Sequence, residues 1–172
     1  MPIESLEKKR ARYAWKCVLS LVHEKRREED EKSGLLKEIE GHLKEKFKKE
    51  NISEELDNYY KSLEEKYKSY VKRAPSLIYI NGLGNVMAFY RSKFANVPEG
   101  EMSADKRAYK LLYEHISKWL KEQLNIDSND IIEWITSEST SSIDIFQAAR
   151  EAISLLSWMK RFAEAKLRGE EE

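Results

Sequence analysis

The residues able to do chemistry are few and widely spaced. Gly82 and Gly84 form a G-x-G after an apolar run, the opening of a phosphate-cradling loop. A dinucleotide fold needs a third small residue for close helix–strand packing and a βαβ frame around it. Here the third position is Met87, and no such frame surrounds it. Two glycines in a buried helix instead let another backbone approach closely; a nucleic-acid backbone passing near them is the second reading. Asp127, Asp130 and Glu133 can be read as a metal cluster, but they fit better as carboxylates placed against a helix N-terminus. Cys17 has no histidine near it in sequence to activate it, so it reads as a small core residue. His115 sits on the apolar side of its segment and reads as a core histidine. Trp119 and Trp158 read as core or interface residues, with base stacking the minority reading. No residue set has general acid–base logic. Neither catalysis nor a bound metal or cofactor is expected.

The elements that carry these residues follow from composition. The chain has 172 residues, which suits one domain. Six Gly and three Pro are too few for the turns of a sandwich or barrel, so an all-β fold is set aside. Glu (25) and Lys (21) dominate, against two Gln, a composition that leans towards surface ion-pair networks and a thermophile. The single cysteine excludes an intramolecular disulfide and any multi-cysteine metal site. No apolar stretch approaches the roughly 20 residues of a membrane span. The start, MPIESLEKKR, carries charge where a signal peptide needs its apolar core. A soluble cytoplasmic protein is expected, with no membrane partner.

Apolar spacing reads as helix after helix. A stripe of Leu6, Tyr13, Cys17 and Leu21 predicts a helix from Ile3 to about Asp30, broken by EEDEKSG at 28–34. Leu35, Leu36, Ile39, Leu43 and Phe47 give a second, surface helix over 35–49. A third starts at Asn51-Ile52-Ser53, with Ser53 as N-cap, and closes at Arg73-Ala74 because Pro75 disfavours α geometry in the residue before it. Residues 75–94 are apolar nearly all round and predict a central, buried helix. A loop at 95–105 precedes a helix from about Ser103 to Asn125, and Asp127 or Ser128 caps a short helix through Ile131–Ile135. A polar run, 136–142, leads to a last helix from about Ser142 to Arg168, ended by Gly169. The expectation is an all-α, single-domain bundle of about six to seven helices.

Charge sums to zero but is segregated. Residues 1–27 carry eight Lys/Arg against three Glu, and residues 150–168 carry five against two. Residues 122–149 contain six carboxylates and no Lys or Arg. On a wheel, Lys9, Arg12, Lys16, Ser20, His23 and Arg27 share the face away from Leu6, Tyr13 and Cys17. A basic stripe points to a polyanion partner or to a solvated face.

Three segments, kept in order, carry a family resemblance. RARYAWKCV (10–18) is a basic, alanine-containing first helix. YKSYVKRAPSLIYINGLGNVMAFYRSK (67–93) has a basic-Pro-Ser-Leu-Ile run, an NGLG turn of sequence, Ala-Phe and a Ser-Lys pair. AAREAISLLSWMKRFAEAKL (148–167) has Glu-Ala, Trp-x-Lys-Arg and Ala-Glu-Ala. Together they resemble the small subunit of the Cmr complex, the type III-B CRISPR RNA-targeting machine. Residues 28–60 match poorly and are expected to be a lineage-specific elaboration of the one domain spanning 1–172. The resemblance implies a non-catalytic, all-helical subunit whose copies stack as an inner filament. The implied partners are the guide RNA and target RNA, the large and backbone subunits, and further copies of itself. Within the matching motifs Arg73, Lys93, Arg150, Lys160 and Arg161 become candidate RNA or subunit contacts, beside Lys9, Arg12 and Lys16 of the basic stripe. Lys160 is expected within the apolar arc of its helix. A helical protein–protein adaptor that never touches RNA, docking through 122–149 and the last helix, is the alternative.

Overall fold

Side-chain caps set where the helices begin. The computed structural model describes residues 3–169. In it Ser5 accepts a hydrogen bond from the Lys8 amide, Ser103 from Lys106, and Ser141 with Asp144 forms a capping box. Eight α-helices follow: α1 (Leu6–Leu19), α2 (His23–Ser33), α3 (Leu35–Phe47), α4 (Ser53–Asn81), α5 (Leu83–Phe94), α6 (Ala104–Gln123), α7 (Ile131–Thr136) and α8 (Ser142–Lys166). A short 3₁₀ turn, Glu99–Glu101, precedes α6. No strand occurs among the described residues, and no helix is long and apolar enough to cross a membrane. The all-α bundle read from the sequence is the fold, with eight helices in place of six or seven.

Two capping residues differ from expectation. Ser53 begins α4, and it is the Asn51 side chain that accepts its amide hydrogen. Asp130, rather than the expected Asp127 or Ser128, caps α7 by accepting from the Ile132 amide at 3.0 Å.

The extra helix comes from a corner at residues 20–22. Here the chain turns so that Leu21 is fully buried. A carboxylate from far along the chain then caps α2: Glu64 of α4 accepts from the His23 amide (3.0 Å) and meets the His23 ring nitrogen Nδ1 at 2.8 Å. His23 therefore leaves the basic stripe and points inward. The acidic run 28–34 does not break the helix; only Gly34, at φ +84°, does so.

Pro75 does not end α4. The stripe Val71, Ala74, Ile78 continues through it in helical spacing, and all three side chains are buried. Burying them offsets the roughly 3 kcal/mol that an interior proline costs a helix. The break comes at Gly82, whose φ of +84° belongs to glycine, so the segment 75–94 is two helices meeting at an angle of the chain. It is not buried all round: Tyr79 and Ile80 are 83% and 74% exposed, and Phe89 is half in solvent. The other glycine of the pair, Gly84, makes room for a side chain, since a Cβ there would lie 3.3 Å from Ile135 Cγ2.

Helix α4 packs on α6 and α8 and touches α2, α3 and α5, while α1 lies along α8. Leu63, Tyr67, Val71, Leu112, Ile116, Leu155 and Leu156 fill the shared interior. Three polar ties cross it. Arg107 of α6 donates through Nη1 and Nη2 to the two oxygens of Asp30 in α2, both at 2.6 Å, and Tyr60 donates to the same carboxylate. Arg10 of α1 grips Glu151 of α8 bidentately at 2.7 Å, and Trp119 donates its indole N–H to Glu151. The Tyr67 hydroxyl meets Nδ1 of His115 at 2.6 Å. Burial pushes the His115 imidazole down to about 3, so it is neutral in the fold.

Two outcomes follow. Pro75→Ala restores a helical N–H without removing a needed turn, so it should raise stability by about 1–3 kcal/mol in denaturant melts. A loss of stability would mean that the proline marks a helix start after all. For His115, the unfolded imidazole takes up a proton below about pH 6.5 and the folded one does not, so stability falls as pH falls through that window. The effect is about 2 kcal/mol between pH 7 and pH 5. His115→Gln, which keeps an acceptor for Tyr67, should flatten that part of the stability–pH profile; an unchanged slope would assign it to other groups.

Candidate functional site

Helical spacing pairs cations with aromatic rings on the last turns of α4 and on α5. Tyr70 and Arg73 are three residues apart, and Phe89 and Lys93 are four apart, the two separations that put side chains on one face. The Arg73 guanidinium lies 5.5 Å from the Tyr70 ring centre, and the Lys93 ammonium 4.8 Å from that of Phe89. Tyr109 of α6 joins the two pairs. Its ring stacks on Tyr70 at 4.0 Å and 10°, meets Phe89 edge-on at 5.8 Å, and lies 5.9 Å from the Lys93 ammonium.

These rings floor a groove of about 440 Å³ between α4, α5 and α6. Arg73, Asn81 and Asn85 also line it, the two asparagines either side of the Gly82 break. Tyr70 is held by donating its hydroxyl to Asp105, and Arg73 by hydrogen bonds to the Ser69 hydroxyl (3.0 Å) and carbonyl. Tyr90 forms part of the wall. The residue is 1% exposed, and among the described residues its hydroxyl has no hydrogen-bond partner.

Arg73 and Lys93 are thus brought to one site, and the other candidate cations are not part of it. Lys9 and Lys16 are exposed on α1 and, among the described residues, make no ion pair. Arg12 is paired with Glu4. On α8, Arg150 lies 5.9 Å from the Phe146 ring centre, and Arg161 borders a shallow recess with Trp158 and Glu7. Lys160 is exposed, against the expectation that it lies in the apolar arc. The buried edge of α8 passes through Leu155, Leu156, Met159 and Ala163, and Lys160 falls just outside it.

The remaining chemical candidates resolve into structure. Burial pushes the Cys17 thiol up to about 12, so it stays protonated among core side chains. Asp130 accepts from the Tyr113 hydroxyl at 2.7 Å and pairs with Arg91, besides capping α7. Among the described residues, no group of three or more His, Cys, Asp or Glu side chains is placed to hold a metal ion. Trp119 is core, and Trp158 is half-buried and donates to Glu7.

Sequence reasoning missed Tyr70, Phe89 and Tyr109 as site residues. The first two were legible as cation–aromatic pairs at helical spacing. Tyr109, in a separate helix, carried no such signal. Arg91, which ties α5 to α7, was missed for the same reason.

A family model described as CRISPR-associated protein (Cas_Cmr5) matches residues 42–166. The match takes in the whole groove and all of α8. It includes 42–60, part of the segment that the sequence reading set apart, and it leaves out 10–18. This chain belongs to the Cas_Cmr5 family, the small helical subunit of the Cmr, or type III-B, CRISPR complex.

Proposed function

We propose that the chain is a non-catalytic, RNA-contacting subunit of this ribonucleoprotein in antiviral defence in the cytoplasm. Copies stack as an inner filament along the guide RNA and target RNA, beside the backbone subunits and the large subunit. The observation that carries the RNA reading is the groove: within the family match, an exposed arginine and a half-buried lysine flank a cluster of aromatic rings. Cations take phosphates, and rings take unstacked bases, the two contacts that single-stranded RNA offers. The family membership and the structural roles of Cys17, His115 and Asp130 support a subunit without a reaction of its own.

Exposed Tyr79, Ile80, Ile143 and Phe146 favour protein contacts as well. They fit docking to neighbouring subunits or to further copies of this chain. The acidic stretch 122–149 keeps Glu122, Asp127 and Glu138 exposed for a basic partner surface, such as Lys9 and Lys16 of another copy. If those surfaces were its whole role, the chain would be an adaptor without RNA contact.

Charge reversal separates the two. Arg73→Glu with Lys93→Glu changes one exposed and one half-buried side chain, neither of which makes an ion pair among the described residues, and should leave the melting behaviour near that of the parent. Losing two phosphate contacts should flatten the salt dependence of single-strand RNA binding by about 1.4 log units per log unit of salt. The same test on Lys9→Glu with Lys16→Glu measures the share of α1. Unchanged affinity and salt slope in both double variants, in the chain and in its assembly, would leave the adaptor role.

A further inference from the structure

We infer that the groove between α4, α5 and α6 takes one unstacked base of an RNA strand, with the Tyr90 hydroxyl donating to the base edge; this rests on the RNA reading above. Three independent features converge on a base.

The first is the floor. Tyr70, Tyr109 and Phe89 present ring surface to an opening of about 440 Å³, enough to admit a single base with its ribose. Every base has a flat π-face, so such a floor binds without choosing a sequence.

The second is the unpaired hydroxyl. A buried phenol without a partner costs free energy, because it has left water and gained nothing. Tyr90 lines the groove, and its hydroxyl, shielded from solvent, has no partner among the described residues, so a base takes it up once the wall gives slightly. Every base carries at least one ring-nitrogen or carbonyl acceptor on its edge, so each can satisfy that donor.

The third is the rim. Asn81 donates its side-chain N–H to the Leu77 carbonyl at 3.2 Å, and Asn85 to the Asn81 carbonyl at 2.9 Å. Among the described residues neither side-chain oxygen accepts a hydrogen bond, so both remain as acceptors suited to exocyclic amino groups. Arg73 and Lys93 supply positive charge for the phosphates beside the inserted base. An apolar side chain from a protein partner would cover the rings but leave the phenol, the amide oxygens and both cations unmatched, and for that reason RNA is the occupant we assign.

The test uses the full chain, a short oligouridylate, and the same strand with its bases removed and its phosphates kept. Fluorescence anisotropy at low salt should show the intact strand binding about tenfold tighter. Phe89→Ala, at a half-exposed position, should abolish that preference, so that the intact and base-free strands bind this variant equally. Tyr90→Phe should bind the intact strand about threefold weaker without any loss of melting temperature, since the hydroxyl it removes was unpaired. Unchanged affinity of Tyr90→Phe for the intact strand would show the tyrosine to be purely structural and overturn the contact to the base edge.

Equal affinity of the parent for the two strands, or an undiminished preference in Phe89→Ala, would overturn the base site and leave RNA contact standing. If Phe89→Ala keeps its preference but sheds another subunit from the purified assembly, a protein side chain fills the groove and the inference is wrong. If neither strand binds the chain, the RNA reading itself falls, and the base site falls with it.

Discussion

The 29 residues of α4 must remain one helix, because five other helices take their positions from it. Its buried positions run unbroken from Leu56 through Tyr60, Leu63, Tyr67, Val71 and Ala74 to Ile78. A chain break at Pro75 would have separated the part facing α2 and α3 from the part that meets α5. Side-chain burial on both sides of the proline outweighs its backbone cost. The consequence reaches the groove. Tyr70, Arg73 and Leu77 line it from one rigid element, and only at Gly82 does the chain turn to bring Phe89 and Lys93 across from α5.

Packing alone would let several helix pairings of similar area compete. The buried polar ties choose among them. Asp30 and Arg107 are each 1% exposed, so an arrangement that parts them leaves a buried charge unpaired, at about 3–5 kcal/mol. Their bidentate geometry fixes α2, a helix with almost no apolar residues of its own, against α6. Glu64 pins both the corner before α2 and the turn of chain just after α8, since it also accepts from the Arg168 amide at 2.8 Å. Arg10, Glu151 and Trp119 do the same for α1, α8 and α6. These ties specify register; they add little to net stability, because desolvation consumes most of the Coulomb gain.

Periodicity made the helices legible, since each stripe encodes a face that must be covered. It put Cys17, Leu21, Ile39 and Leu43 on apolar stripes, and all four are buried. It failed where a distant partner decides. Nothing near residues 20–22 announces that Glu64 caps the next helix, and nothing in EEDEKSG marks Asp30 as the one acid with a buried arginine waiting. Proline and glycine swapped meaning for a related reason: local propensity weighs each residue alone, whereas tertiary burial decides which break is tolerated. For the site, Arg73 and Lys93 were legible within a family-like motif, but their convergence on Tyr109 is a property of three helices together.

Neutral net charge conceals this site, because its cations are spent on rings and solvent rather than on carboxylates. Lys93 and Arg73 have aromatic neighbours where the surface elsewhere has ion pairs such as Arg12 with Glu4 and Lys49 with Glu55. The account stands on RNA passing over that place. Ultraviolet crosslinking of the native assembly with its own RNA, read by mass spectrometry, tests it most directly. The expected result is RNA-linked peptides from residues 67–93 and from the stretch containing Tyr109. Crosslinks confined to other subunits, or reaching this chain only at α2 and α3, would contradict it.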